Sequence, residues 1–508
     1  MRGLAKVVTA DEAVARIPSG ATLAVGGFVG AGHPEMLTAA LERHFLEHAA
    51  PRDLTLAYAA GQGDRQDRGL NHLAHAGLIK RVVGGHWNLA PKLGKLALEN
   101  QIEAYNFPQG VMCILYREVA ARRSGVITKV GMNTFIDPIH SGGRMNDRTT
   151  EPLVERIQLG GEDWLWYRAF PITVGFIRAT RADKRGNLVL DREGMIGDVL
   201  PIAQAAKNHG GIVIAQVQEL VDSIEDPKSV RVPGLLVDYI VVSDEQHHHQ
   251  TFGEVFNENY VRGATEACPL KPLEFSERKI IGRRALMEIS PGNIVNLGIG
   301  LPEAVAAVAS EQGKLNDFTL TVESGPIGGV PASGLSFGCS NRPEAIIDQP
   351  SQFDFYDGGG IDLTALGAVE IDRQGSVNVT TFGGRFAGVG GFVNISQNAK
   401  RVIFCCSFRA GDLQIDSIDG KLQIIKEGPH CKFVEQARPI CFHGPSAVAR
   451  GQEVLYVTER AVFKLSRSGL ELIEVAPGID LQKQVLDLMK FQPIVNDPRP
   501  MPVECFRK

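Results

Sequence analysis

The sequence predicts an α/β protein made of two related open domains, each with a mainly parallel sheet flanked by helices, fused as a tandem duplication. Short β-branched and apolar runs alternate with helical patterns along the chain, which is typical of βαβ units. Several of these segments recur in the same order in the second half. The chain of 508 residues is also too long for a single hydrophobic core.

The internal repeat is clearest in the segments 53–61 and 317–325. Each begins with an aspartate, continues as a short apolar strand and ends at a glycine. Four positions are identical, so that Asp53, Thr55, Leu56 and Gly61 match Asp317, Thr319, Leu320 and Gly325. The repeat period is too long for a solenoid. We therefore expect an N-terminal half at 1–243, a connection at 244–275 and a C-terminal half at 276–508.

Local signals predict the elements of the first half. The run 22–25 is apolar and β-branched, and a glycine-rich loop ends it. Pro34 occupies the favoured first turn of the next helix, which we expect to run to about residue 48. By the same criteria we predict a strand within 53–61, strands at 78–83, 170–179 and 211–217, and helices at 91–100, 111–122 and 199–207.

The second half repeats this order. A helix is predicted at 277–288, and a turn, a strand and a glycine loop follow within 290–302. A buried strand is predicted at 318–322, where the residues are apolar or β-branched. The strand at 401–406 corresponds to the strand at 211–217 in the first half.

Glu323 stands where the predicted strand 318–322 ends and a loop rich in glycine and proline begins. Open α/β sheets place their ligands at the carboxyl ends of strands. An acid at such a position is also consistent with a solvated or N-capping side chain. The first copy of the repeat has Ala59 at the corresponding position, and an acid added to one copy of a duplicated scaffold favours a specialised site.

Composition limits the function classes. The net charge of −5 and the scattered Lys and Arg residues give no signal for nucleic acid or a membrane surface. No run approaches the ~20 apolar residues of a membrane span, and residues 1–9 lack the apolar core of a signal peptide. The eight cysteines, Cys268 among them, form no CxxC pair and predict reduced thiols. We expect a cytoplasmic protein.

Three motifs receive simpler interpretations. The turn at Gly298 and Gly300 lacks the third glycine of a dinucleotide fingerprint, because Glu303 occupies that position. Ser336 lies in a nucleophile-elbow pattern, but the flanking glycines and prolines do not predict the strand and helix that this motif requires. The three histidines at 247–249 have no partner residues at metal-ligand spacing, so a solvated loop is favoured.

Two weaker signals point to an oxyanion or carboxylate site. The dense glycine loop 383–391 offers backbone N–H groups for an oxyanion, although a flexible surface loop would have the same composition. Gln109, predicted on a loop between Pro108 and Gly110, is a neutral donor suited to orienting a carboxylate.

These residues together resemble the class I coenzyme A transferases, in the single-chain form with both halves fused. The resemblance covers nearly the whole chain and is carried by the segments 105–110, 131–138, 296–302, 322–329, 358–363 and 387–392. It is closest to the acetate/propionate branch, and is also similar to acetoacetate and short-chain acyl-CoA transferases. The combination of motifs is specific, whereas each one alone is not.

The resemblance implies a role for each motif. Glu323 matches the family nucleophile, which attacks an acyl-CoA thioester and then carries coenzyme A as a glutamyl thioester. Gln109, from the N-terminal half, matches a glutamine near the nucleophile, and Gly390 and Gly391 match donors of backbone N–H groups. Contact with coenzyme A is implied for two further places, the loop of Gly298, Ile299, Gly300, Leu301 and Pro302, and more weakly Arg409.

The implied reaction needs no metal and no permanently bound cofactor, because coenzyme A is both substrate and covalent intermediate. The implied substrates are an acyl-CoA and short-chain carboxylic acids of the acetate, propionate and acetoacetate class, which connects the chain to short-chain fatty acid and ketone body metabolism. The family also implies a homo-oligomer, either a dimer or a tetramer.

Two other functions remain open at this point. An acyl-CoA hydrolase would use the same glutamate, with water instead of a second carboxylate resolving the glutamyl thioester. A non-catalytic acyl-CoA-binding protein would share the scaffold, but binding alone does not require an acid beside a thioester.

Overall fold

The computed structural model describes residues 5–263, 270–382 and 384–508. Cys268 and Gly383, which entered the predictions above, lie outside these ranges. Within them the chain divides into two compact units. The first comprises residues up to 265 together with 322–354 and 385–394, and the second comprises 266–321, 355–384 and 395–508.

The strands are numbered in chain order. They are Lys6–Val7 (β1), Thr22–Val25 (β2), Leu54–Tyr58 (β3), Ile79–Gly84 (β4), Glu103–Asn106 (β5), Gly125–Thr128 (β6), Val154–Leu159 (β7), Glu162–Arg168 (β8), Val174–Asp183 (β9), Leu188–Val189 (β10), Ile212–Val221 (β11), Val230–Val232 (β12), Tyr239–Val242 (β13), Ile294–Leu297 (β14), Thr319–Thr321 (β15), Pro326–Ile327 (β16), Val330–Pro331 (β17), Ser340–Asn341 (β18), Ala345–Ile346 (β19), Leu363–Gly367 (β20), Glu370–Ile371 (β21), Val377–Asn378 (β22), Thr381–Phe382 (β23), Arg385–Phe386 (β24), Arg401–Cys405 (β25), Arg409–Ala410 (β26), Gln414–Ile418 (β27), Lys421–Lys426 (β28), His430–Cys431 (β29), Glu453–Val457 (β30), Ala461–Ser466 (β31), Gly469–Val475 (β32) and Ile494–Pro500 (β33).

The α-helices are numbered in the same way. They are Ala10–Val14 (α1), Glu35–His48 (α2), Pro91–Leu98 (α3), Gln109–Ala120 (α4), Val199–Asn208 (α5), Glu277–Leu286 (α6), Ala304–Glu311 (α7), Gln349–Asp357 (α8), Phe392–Asn398 (α9), Gly444–Ala449 (α10) and Leu481–Gln484 (α11).

The first unit contains a parallel sheet with the strand order β1-β13-β11-β9-β2-β3-β4-β5. Neighbours along this path pair in parallel, and β10 joins β9 in antiparallel pairing. Helix α2 directs Leu37, Leu41 and Phe45 into the core because residues four apart share one helix face. The sheet places the carboxyl ends of β2, β3, β4 and β5 side by side, which is where the polar residues described below are found.

The second unit contains its own sheet, in which β15, β14, β20, β25 and β30 follow one another in parallel. The strands β31 and β32 continue it in antiparallel pairing. The pairing of β14 with β15 repeats that of β2 with β3, which agrees with the sequence repeat. The predicted fold class, two α/β units with mainly parallel sheets, is therefore confirmed.

The units do not follow the predicted sequence halves. The border between them falls between Thr321 and Val322, so the loop of Glu323 lies in the first unit although it belongs to the C-terminal half of the sequence. Residues 244–263 likewise belong to the first unit, although we expected a connection there. The halves 1–243 and 276–508, as functional divisions of the sequence, stay a prediction.

Candidate active site

Glu323 lies at the tip of a short loop that is held by the backbone on both sides. The N–H of Val322 donates to the carbonyl of Pro326, and the N–H of Gly325 donates to the carbonyl of Val322, each at 3.0 Å. Ser324 is fully buried, and its hydroxyl donates to the carbonyl of Gly338. Glu323 itself is partly exposed between two buried neighbours. The loop therefore fixes the backbone of Glu323 and leaves its side chain accessible.

Gly325 is required for this loop. Its φ of +124° is rarely adopted by residues with a side chain. A Cβ at this position would also lie 2.0 Å from the carbonyl oxygen of Ile347, closer than any side chain allows. The glycine that the sequence repeat shares between its two copies thus has a steric reason in the second copy.

Gln109 is the first residue of α4, and not part of a loop as the sequence predicted. The helix starts two residues earlier than expected because Pro108 adopts the extended conformation of an N-cap residue. The side chain of Gln109 is only 2% exposed, and its Nε2 has no hydrogen-bond partner within the described ranges. A buried amide donor without an acceptor is costly and indicates a place for a ligand oxygen.

The glycine loop before α9 is fastened to the ends of β4 and β5. The N–H of Gly390 donates to the carbonyl of Gly85 at 2.8 Å, and the carbonyl of Gly390 accepts the N–H of Gln109 at 2.9 Å. The N–H of Val389 donates to Oδ1 of Asn106 at 3.1 Å. The segment from Val389 to Gly390 is therefore a fixed part of the first unit.

This arrangement gives Gly390 and Gly391 different surroundings. The N–H of Gly390, which was expected to stabilise an oxyanion, donates to the carbonyl of Gly85, and the role of Gly390 in the reaction stays a prediction. Among the described residues, no hydrogen bond engages the N–H of Gly391, which directly precedes α9. Of the two predicted donors, Gly391 is the one that has its N–H available.

His86 was missed by the sequence analysis and lies beside these residues. A Cβ on Gly390 would be 3.8 Å from Cδ2 of His86 and 3.6 Å from Oε1 of Gln109. The Nδ1 atom of His86 is buried without a partner among the described residues. Burial lowers the pKa of His86 to about 4, and the nearby charge of Arg65 adds to this effect. Its position after two glycines at the carboxyl end of β4 is the sequence signal that would have identified it.

A buried apolar cluster of the first unit links the loop of Glu323 to the segment that packs against His86. Val322 belongs to the same buried cluster as Ala60, which precedes Gly61. The Cα of Gly61 packs against His86, since a Cβ there would lie 2.4 Å from Nδ1. Thus the first unit contains Glu323, Gln109, Gly390 and Gly391.

The predicted coenzyme A loop lies in the second unit, after β14. The N–H of Gly298 donates to the carbonyl of Ala365 at 2.8 Å, and Gly300 has a φ of +90° with open space around its Cα. Ile299 is 51% exposed. Leu301 and Pro302 form a short turn that leads into α7. The loop is thus an exposed bend with a fixed base, and its contact with coenzyme A stays a prediction.

Arg409, also in the second unit, is held by backbone carbonyls. Its Nε donates to the carbonyl of Gly428 at 2.6 Å, and its Nη2 donates to the carbonyl of Pro429 at 2.7 Å. These bonds fasten the ribbon of β26 and β29. The predicted contact with a phosphate would use the N–H groups of Nη1 or the second N–H of Nη2, and it stays a prediction.

The histidine run at 247–249 lies in a loop, as the sequence predicted, but its middle residue, His248, is buried and not solvated. His248 is 6% exposed and lies 3.3 Å from Glu193, which also accepts a hydrogen bond from Arg178 at 3.0 Å. Burial would raise the pKa of Glu193, but Arg178 and His248 lower it to about 2. Arg178 and Glu193 therefore form a buried ion pair within the first unit, and His248 lies beside it, where burial and the charge of Arg178 lower the pKa of the imidazole.

The described residues contain no group of three or more His, Cys, Asp or Glu side chains placed to hold a metal ion. Within the same ranges, each α-helix is too short or too polar to span a bilayer.

Comparisons with known proteins identify the family. The family model described as Coenzyme A transferase matches residues 7–243. The chain is 42% identical to the acetate CoA-transferase YdiF of Escherichia coli K12 (98% of this chain and 94% of that protein) and 44% identical to the caffeate CoA-transferase of Acetobacterium woodii (97% and 95%). A crystal structure of the acyl-CoA transferase YdiF from Escherichia coli O157:H7, a thioester complex with CoA, superimposes with a TM-score of 0.94 at 42% identity (99% of this chain and 96% of that chain). The chain therefore belongs to the coenzyme A transferase family and is an acyl-CoA:carboxylate CoA-transferase.

Proposed function

We propose that the protein moves coenzyme A between a short-chain acyl-CoA and a free carboxylate by a ping-pong mechanism, with a glutamyl-CoA thioester on Glu323 as the intermediate. The observation that carries this proposal is the position of Glu323 on the fixed loop after β15, in the same unit as the unpartnered donor of Gln109. The similarity to a transferase whose crystal structure is described as a thioester complex with CoA supports this proposal.

The first steps exchange the acyl group for coenzyme A. A carboxylate oxygen of Glu323 attacks the thioester carbonyl, and the oxyanion that forms collapses to expel coenzyme A thiolate and leave an acyl-glutamyl anhydride. The thiolate then attacks the glutamyl carbonyl, which releases the acyl group as a carboxylate. A second carboxylate attacks the glutamyl-CoA thioester, and the same steps in reverse release the acyl-CoA of the second acid and free Glu323.

The chemistry needs an ionised acid and a donor for the developing oxyanion. A glutamate with a reference pKa of about 4.3 is ionised at neutral pH. We assign the oxyanion to the N–H of Gly391, where one good donor contributes about 3–4 kcal/mol to the transition state. Gln109 orients the carboxylate through Nε2. Contacts of coenzyme A with the loop of Gly298–Pro302 would supply binding energy remote from the reacting atoms.

The acid substrate is proposed as a short-chain carboxylate of the acetate, propionate and acetoacetate class. One relative is named for acetate and another for caffeate, so the family at this level of identity includes both small and aromatic acids. Initial rates with acetate, propionate, acetoacetate and caffeate as acceptors would decide between them. A higher kcat/KM for caffeate than for each short acid would contradict the short-chain assignment.

The experiment that tests the mechanism is the intact mass of the protein after brief incubation with acetyl-CoA or propionyl-CoA. We expect an increase of one coenzyme A minus one water, and borohydride should reduce the thioester and abolish activity. Glu323→Gln, which keeps the shape and removes the charge, should show neither adduct nor turnover, a loss of at least ~10³-fold. A fully active Glu323→Gln would overturn the role of Glu323.

The same preparation separates the transferase from a hydrolase and from a binding protein. A transferase shows isotope exchange between free acid and acyl-CoA, whereas a hydrolase releases coenzyme A in water without an acceptor. A binding protein retains coenzyme A but forms no adduct. Release of coenzyme A without an acceptor would replace the proposed function by that of a hydrolase. Retention of coenzyme A without an adduct would replace it by that of a binding protein.

We also propose a homo-oligomer, a dimer or a tetramer, in the cytoplasm. The free thiols of the described cysteines support a reducing compartment. Light scattering coupled to gel filtration would test the assembly, and a monomer at micromolar concentration would contradict it.

A further inference from the structure

Asn106, the last residue of β5, is fully buried, and its side-chain amide is engaged on both sides. The Nδ2 atom donates to the carbonyl of Gly84 at 2.9 Å and to the carbonyl of Gly85 at 2.6 Å. The Oδ1 atom accepts the N–H of Val389 at 3.1 Å. One side chain therefore joins the ends of β4 and β5 to the glycine loop, which lies 283 residues further along the chain.

The backbone N–H groups that precede Gly391 all have acceptors at this place. The N–H of Val389 donates to Asn106. The N–H of Gly390 donates to the carbonyl of Gly85 at 2.8 Å. Gly391 is buried as well, but its N–H has no acceptor among the described residues. A buried N–H without an acceptor is rare in native proteins, so this one marks a place for a ligand oxygen.

Asn106 acts on both of the bonds that fix this part of the loop. It accepts the N–H of Val389 directly, and its Nδ2 shares the carbonyl oxygen of Gly85 with the N–H of Gly390. That oxygen has two lone pairs, and the two donors use both. Loss of the amide would leave the N–H of Val389 buried without its acceptor, which is costly, so the loop would shift.

The glycine loop is also fastened to the start of α4. The carbonyl of Gly390 accepts the N–H of Gln109 at 2.9 Å. In the first turn of α9, Oδ1 of Asn394 accepts the N–H of Gly110 at 3.1 Å. These bonds do not involve Asn106. Loss of the Asn106 amide should therefore displace the loop without detaching it.

We propose that Asn106 is a positioning residue of the transferase site, which holds the glycine loop so that the N–H of Gly391 meets the oxyanion of the reaction. The inference rests on the transferase function proposed for Glu323 and on the assignment of the oxyanion to Gly391. Asn106 acts through the loop, because its own amide is engaged with backbone groups. A donor that is held in advance needs no reorganisation when negative charge develops.

The test compares Asn106→Ala with a matched control, Asn146→Ala, at the opposite end of β5. The Nδ2 atom of Asn146 also donates to two backbone carbonyls, those of Ala97 at 2.6 Å and Ile102 at 3.0 Å. Its Oδ1 atom accepts the hydroxyl of Thr149 at 2.6 Å. Both substitutions remove an amide with three hydrogen bonds and should lower the melting temperature, but only Asn106→Ala removes one that holds the glycine loop.

The assay measures kcat and the Kd for coenzyme A. For Asn106→Ala we expect kcat to fall about 100-fold, the usual effect of a displacement of about 1 Å, with a Kd for coenzyme A within about threefold of the wild type. For Asn146→Ala we expect both values to stay within about threefold of the wild type. Equal losses of kcat in the two variants, or a wild-type kcat in Asn106→Ala, would overturn the proposal. A loss of coenzyme A affinity as large as the loss of kcat would do the same.

A second variant covers the case in which Asn106→Ala does not fold. Asn106→Asp keeps the shape, and its protonated carboxyl can still accept from Val389 and donate to Gly85. Burial beside two carbonyl oxygens raises the pKa of such an acid, so it is protonated at low pH and ionises as the pH rises. We expect the ratio of its kcat to that of the wild type to be highest near pH 6 and to fall toward pH 8.5. A ratio that is constant over this range would overturn the proposal.

The adduct experiment distinguishes this failure from that of the proposed function. If the wild type forms no glutamyl-CoA adduct, the function of Glu323 and the role of Asn106 both fall. If the wild type forms the adduct but Asn106→Ala keeps the wild-type kcat, only the role of Asn106 falls.

Discussion

At Gly325 the absence of a single methyl group decides whether the loop of Glu323 forms. Its positive φ alone would cost another residue about 1–2 kcal/mol, and a Cβ would in addition collide with the carbonyl of Ile347. A single hydrogen bond has a comparable effect in the glycine loop, because the N–H of Gly390 donates to the carbonyl of Gly85.

We predict that Gly325→Ala disrupts this loop and abolishes the glutamyl-CoA adduct. Gly313→Ala is the matched control, because Gly313 has a φ of +68° but no atom within 4 Å of a Cβ. The control should cost only the backbone strain, about 1–2 kcal/mol, and should keep its activity. Thermal unfolding and intact mass measure both effects. Equal melting temperatures for the two variants would show that the contact with Ile347 is unimportant.

At the scale of elements, helix α2 is joined to the short helix at 70–73 by a histidine between two acids. His72 lies 2.9 Å from Glu35 and 2.5 Å from Glu42, and both acids belong to α2. Burial alone would lower the pKa of His72, but the bonds and charges of the two acids raise it to about 9. The protonated histidine therefore stabilises the packing of α2.

This pKa predicts the pH dependence of stability. The stabilisation by His72 is fully present below the unfolded pKa of about 6.5 and is lost as the pH rises through about 9. We expect the melting temperature to fall over this range, and His72→Gln to flatten that fall. His140→Gln, at an exposed histidine, is the control and should retain the wild-type slope. An unchanged slope in His72→Gln would refute the assignment.

At the scale of the whole molecule, the first unit is built from segments distant in sequence. Its buried cluster around Phe28 includes Val322, Ala332 and Phe337, which come from the C-terminal half of the chain. The rings of Phe28 and Phe337 lie 5.7 Å apart. An N-terminal fragment made alone would leave this apolar surface exposed to water.

We therefore predict that fragment 1–263 folds only when it is produced together with fragment 270–508. Expressed alone, 1–263 should aggregate or bind a hydrophobic dye, whereas co-expression should give a complex that purifies through a tag on one fragment. As a control, the same cut in a Phe337→Ala background should weaken the complex. A soluble, cooperatively unfolding 1–263 would contradict the prediction.

The sequence by itself determined the fold class, the alternation of strands and helices, and the residue types with the required chemistry. These depend on local patterns: apolar runs of strand length, glycines and prolines that end them, and an acid present in only one copy of a repeat. Glu323 and Gln109 were chosen for their positions beside such breaks, for the repeat and for the resemblance to the family, and their catalytic roles stay predictions.

Only the tertiary structure decided which of these groups are available. Gly390 donates its N–H to the carbonyl of Gly85, two backbone carbonyls hold Arg409, and His248 is buried beside Glu193. His86 lies near Gly390, about 300 residues further along the chain, because the N–H of Gly390 donates to the carbonyl of Gly85 next to it. A local pattern cannot reveal these partners, because each hydrogen bond joins residues that are separated along the chain and meet only in the folded protein.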